Sequence, residues 1–104
     1  MVFPTEPTHY IKTALSDLQG AWSNLRVQII EEFGFKDSEK LIFHIDEAMS
    51  WESVRNLDSM KSTLLLIQNI AAQTDLPEEV GFWLNEVRSS LDYVLSEIAE
   101  GKVL

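Results

Sequence analysis

Two histidines, seventeen carboxylates and no cysteine set the chemistry open to this 104-residue chain. Without a thiol, disulfides, thiolate catalysis, zinc fingers and iron–sulfur ligation are excluded together. His9 stands alone at the start of an expected helix, while His44 has Asp46 nearby and Glu47 one helical turn on. A carboxylate-bridged di-metal site draws on two Glu-x-x-His pairs plus two further glutamates, a set this sequence does not supply. His44 therefore reads as an ordinary part-buried histidine. Helical pyrophosphatases hold Mg²⁺ with several helix-borne acids. The one Glu-x-x-Glu pair here is Glu97 and Glu100, with no second acidic pair on another helix and no basic cluster to hold phosphates. Serines are plentiful, but a nucleophilic triad needs a base and an orienting acid converging on one of them. Neither phosphate-cradling glycine loop, Gly-x-x-x-x-Gly-Lys or Gly-x-Gly-x-x-Gly, is present. The expectation is a protein without catalytic residues, metal or cofactor, hence not an enzyme.

Charge narrows the partners. The formal net charge is −9, which repels phosphate backbones and disfavours nucleic acid. The excess is even: residues 1–52 carry nine acids and four bases, residues 53–104 eight and four. The longest aliphatic run, Leu64 to Ile67, is far too short for a membrane span. The N-terminal residues show no basic segment followed by an apolar stretch, so the expected location is cytoplasmic. A chain of this length and composition predicts one helical domain over 1–104.

The elements that would position any surface are helices. Ile11, Ala14, Leu15, Leu18, Trp22, Leu25, Ile29 and Phe33 recur at spacings of three and four, predicting a helix over 8–33. Its opposite side carries Thr13, Ser16, Ser23 and Glu31, with Val27 the apolar exception. Gly34 is placed to cap it in a left-handed conformation, with Phe35 folding back on the last turn. Asp37 or Ser38 should cap a second helix that buries Leu41, Ile42, Ile45 and Met49. Apolar spacing then continues through Leu57, Met60, Leu64, Ile67 and Ala71. Matching of helix lengths favours a break near Ser50. Asp75, Pro77 and Glu78 form a capping-box-like start for the last helix, with the stripe Val80, Leu84, Val87, Leu91, Val94, Leu95 and Ile98, and Gly101 as its end. The predicted fold is all-α, an antiparallel four-helix bundle, with the three Trp and five Phe filling its core. The alternative is a three-helix bundle with one long kinked helix, 38–73.

Two faces exceed what a bundle core needs. Helix three is apolar nearly all round, with Leu66 and Ile70 off the core stripe, so these two are the expected self-association residues of a homodimer. On helix four, Glu79, Glu86, Ser90, Tyr93, Glu97 and Glu100 share one solvent-facing strip at 100° per residue, with Phe82 beside it. Exposed aromatics among acids suit a protein partner with a basic surface, the acids steering encounter and the rings supplying contact. Phe82, Glu86, Tyr93 and Glu97 are the expected partner-binding residues.

Trp51-Glu52-Ser53 lies mid-chain and Tyr93 precedes Glu97 by four, where small secreted hairpins of the WXG100 type carry Trp-x-Gly and Tyr-x-x-x-Asp/Glu. The glycine is missing, and Gly34 and Pro77 interrupt what would be continuous helix, so the chain is not assigned to that family. The functional expectation is a small acidic helical interaction protein, of the stoichiometric inhibitor, antitoxin, immunity or phage counter-defence type, covering a basic surface of its target. The competing expectation is a metal-dependent, nucleotide pyrophosphatase-like helical hydrolase completed by dimerisation, with Asp46, Glu47, Glu97 and Glu100 as ligands.

Overall fold

The computed structural model describes residues 6–54 and 56–100, with side chains from residue 14 onward. Four helices run in order: α1 (Glu6–Glu31), α2 (Ser38–Ser53), α3 (Leu57–Ala72) and α4 (Glu78–Ala99). At 1.5 Å per residue, α1 and α4 are roughly 39 and 33 Å long, against about 24 Å for α2 and α3. α1 packs closely along α4, and α2 along α3; the α1–α2 contact is lighter and the α3–α4 contact lightest. The result is the expected four-helix bundle, arranged as two tight pairs within a 51 × 23 × 19 Å envelope.

The periodic stripes form its core. Leu18, Trp22, Leu25 and Ile29 from α1 meet Leu41 and Ile45, Met60 and Ile67, and Val87, Leu91 and Val94 from the other three helices, all buried. Ile42, Met49, Leu95 and Ile98 pack against this core half-buried. Trp22 ties the pairs together: its indole Nε1 donates to Met60 Sδ at 3.3 Å, satisfying the one polar atom of a buried ring. Of the other aromatics expected inside, Trp51, Trp83 and Phe35 are half-buried, whereas Phe33, Phe43 and Phe82 are exposed. Phe3 lies outside the described residues.

The junctions differ from expectation in instructive ways. α1 ends at Glu31, where Phe33 N–H bonds Ile30 O, three residues back instead of four, and Phe33 is exposed, off the stripe. Gly34 does adopt positive φ (111°), and Phe35 folds back on the core. Asp37 occupies the cap position of α2 in the left-handed region (φ 68°), but its side chain caps nothing there. Its Oδ2 instead accepts from Thr74 Oγ1 at 3.1 Å, joining the α1–α2 connection to the α3–α4 connection. Ser50 does not start a helix. Its hydroxyl donates back to Glu47 O, as that of Ser53 does to Ser50 O, and α2 runs on to Ser53. The break falls between Ser53 and Leu57, where Trp51 O accepts from Val54 and Asn56 N–H, and Asn56 Oδ1 caps α3 by accepting from Ser59 N–H at 3.1 Å. That break rules out the single kinked helix over 38–73. Asp75 makes no cap either: Pro77 stands at that position, with Glu78 and Glu79 supplying negative charge to the first turn of α4. Gly101 lies outside the described residues.

Candidate partner-binding site

α4 buries Val80, Leu84, Val87, Leu91 and Val94, and the 3.6-residue period therefore turns the predicted strip away from the core. Phe82 and Tyr93 are 51% and 54% exposed. They lie eleven residues apart on one side of α4, roughly 16 Å along its axis. Glu79 and Glu86 on the same side are exposed, and Ser90 and Glu97 are half-exposed. The four expected partner-binding residues thus share one helix face.

Phe82 is held rather than loose. Its ring meets Trp83 edge-on, with centroids 5.1 Å apart and planes at 85°, a favourable aromatic geometry. Trp83 in turn lines a shallow groove between α4 and α1, together with Glu86 and Ser90 on one wall and Asp17, Gly20 and Asn24 on the other. The aromatic strip and this groove are therefore continuous. Sequence reading missed Trp83, Asp17 and Gly20, although the Ser16, Gly20, Asn24 spacing of four was a signal of a small-residue helix face.

Charge divides the α1/α4 pair. Arg26, the described base of α1, is turned toward α2, where Nε meets Asp46 Oδ1 at 2.7 Å and Nη2 meets Oδ2 at 3.4 Å. That hydrogen bond and charge hold the Arg26 pKa above its ordinary value. Arg88, the base of α4, sits on the α3 side, 3.9 Å from Asp92, in a cleft it shares with Lys61 and Leu65. The groove side of α4 is left with acids.

The proposed self-association residues fare unequally. Leu66 is 43% exposed, while Ile70 is half-buried and packs against the core. Leu65, between the two faces, is 53% exposed. The ligand set of the hydrolase reading is not assembled. Among the described residues no three His, Asp or Glu side chains are grouped as a metal would need, and Asp46 is engaged by Arg26. His44 Nδ1 lies 3.1 Å from Glu47 Oε1, with Phe43 edge-on to its ring, as befits a part-buried histidine with a local partner. No described helix is long and apolar enough to cross a membrane. Comparison of the chain with protein-family models, with curated proteins and with solved structures finds no match in any of the three.

Proposed function

We propose that this chain is a non-catalytic, cytoplasmic interaction protein that covers a basic surface of a protein target, in the manner of a stoichiometric inhibitor, antitoxin, immunity or counter-defence protein. The observation that carries the reading is the pairing of exposed Phe82 and Tyr93 with exposed acids on one face of α4. Aromatic side chains beside acids are the kind of anchor that protein interfaces use, and flanking carboxylates raise the encounter rate with a cationic surface. The roles divide accordingly: Glu86 and Glu97 steer, Phe82 and Tyr93 anchor.

The test uses a partner recovered from the native host with the tagged protein and then purified. Glu86→Lys with Glu97→Lys should slow association several-fold at low salt and flatten its salt dependence. Phe82→Ala or Tyr93→Ala should leave the association rate near native and speed dissociation. A partner whose rates and salt response ignore all four changes would overturn the reading. Self-association through α3 is a separate element of the proposal, supported by exposed Leu65 and Leu66. Sedimentation of the native protein and of Leu66→Glu tests it: a dimer that the charge dissociates supports it, and a native monomer rejects it.

A further inference from the structure

The groove between α1 and α4 is more selective than an acidic surface needs to be. Its floor includes Gly20, in the interior of a 26-residue helix and exposed to solvent. Glycine there costs about 1 kcal/mol relative to alanine, because the unfolded backbone loses more freedom. Nothing among the described residues explains that choice. Gly20 is not among the positive-φ residues, and a Cβ built on it would meet no described atom within 4 Å beyond the backbone of its own helix. A missing side chain that neither backbone nor packing requires leaves room for close approach from outside.

We propose that this groove seats an amphipathic helix of the partner, with its small residues packed over Gly20 and its Lys or Arg side chains reaching Asp17 and Glu86. The inference rests on the reading of the α4 face as a partner surface and names the element that binds there. A helix suits the site because it satisfies its own backbone hydrogen bonds. An extended peptide that docks by adding a strand needs a sheet edge, and the described residues contain no strand. A basic helix suits it because Asp17 and Glu86 line the groove and both are exposed, while Arg26 and Arg88 face the other way. A second copy of a chain with net charge −9 would bring like charge to the same walls. Trp83 links the groove to Phe82 through the edge-on ring contact, so one bound helix would touch groove and aromatic strip together.

The test is fluorescence anisotropy with a set of labelled synthetic helices of about 18 residues, roughly 27 Å long. Each carries Ala and Leu on one face and Lys on the other, in successive registers, with Glu-for-Lys versions as controls. At least one Lys helix should bind, and no Glu helix. Gly20→Leu should weaken that binding roughly tenfold or more, the equivalent of about 1.4 kcal/mol, with a melting temperature equal to native or higher. Because Gly20→Leu alters no charge, non-specific attraction would survive it. If it binds as native does while Phe82→Ala or Glu86→Lys weakens binding, the groove inference falls and the α4 face remains. If Lys helices bind no better than Glu helices, the groove inference falls, and the α4 face is judged by the partner kinetics alone. If Gly20→Leu instead dissociates a dimer of the protein alone, the occupant is a second copy and the proposal is overturned.

Discussion

Asn56 performs at the α2–α3 junction what the two upstream serine hydroxyls do not: it offers an oxygen forward to an N–H of the next helix. Ser50 and Ser53 donate backward to carbonyls and so offer no forward cap. Asn56→Ala should therefore cost about 1 kcal/mol, and about 4–8 °C in melting temperature for a chain of this size, while Asn56→Asp should restore most of it. Thermal denaturation by circular dichroism reads both. Gly34 and Gly20 make an opposed pair. Gly34 has φ 111°, so Gly34→Ala should lose about 1–2 kcal/mol through backbone strain alone, since its Cβ would meet no neighbour. Gly20→Ala has no such strain and should gain up to about 1 kcal/mol. Matched denaturant titrations of the two variants should move in opposite directions.

At the scale of elements, the register of the apolar stripes was legible, whereas whether α2 and α3 are two helices or one was not. Leu18, Trp22, Leu25 and Ile29, or Val80, Leu84, Val87 and Leu91, repeat at helical spacing and are buried as that spacing requires. Junctions were less legible, because Ser, Asp and Asn can each bond forward as caps or elsewhere, and only the folded neighbourhood decides. Asp37 illustrates this: the expected cap residue occupies its place, but Thr74, 37 positions away, takes its carboxylate. The aromatic strip on α4 could be read from one helix's periodicity. The groove could not, since it depends on how α1 is rotated against α4, and that rotation is settled by packing between residues distant in sequence. Composition misled in one respect: large rings were assigned to the core by type, yet Phe43 is 67% exposed, on the side of α2 opposite Leu41 and Ile45.

At the scale of the whole molecule, two tight pairs are joined by lighter contacts, and a cation tests the competing hydrolase reading directly. Millimolar Mg²⁺ or Mn²⁺ should leave the melting temperature unchanged, since a bound metal would raise it by mass action; a clear upward shift would revive that reading. The hydrogen bond between Thr74 and Asp37 has a consequence for the order of assembly. Bringing α4 onto α1 from an unstructured chain means closing a loop across residues 32–77, some 46 positions. Once α2 and α3 have zipped and their two ends meet at 3.1 Å, only residues 32–37 and 74–77 still have to close. By the logarithmic dependence of closure entropy on length, the shorter circuit lowers the barrier by about 1.4 kcal/mol. The central hairpin should thus be the nucleus and the outer pair the latecomer. Ile45→Ala and Leu64→Ala should slow refolding in stopped-flow mixing, whereas Val94→Ala should chiefly hasten unfolding. Thr74→Val should slow refolding with them, as a latch whose main effect is on the rate at which the two ends of the chain find each other.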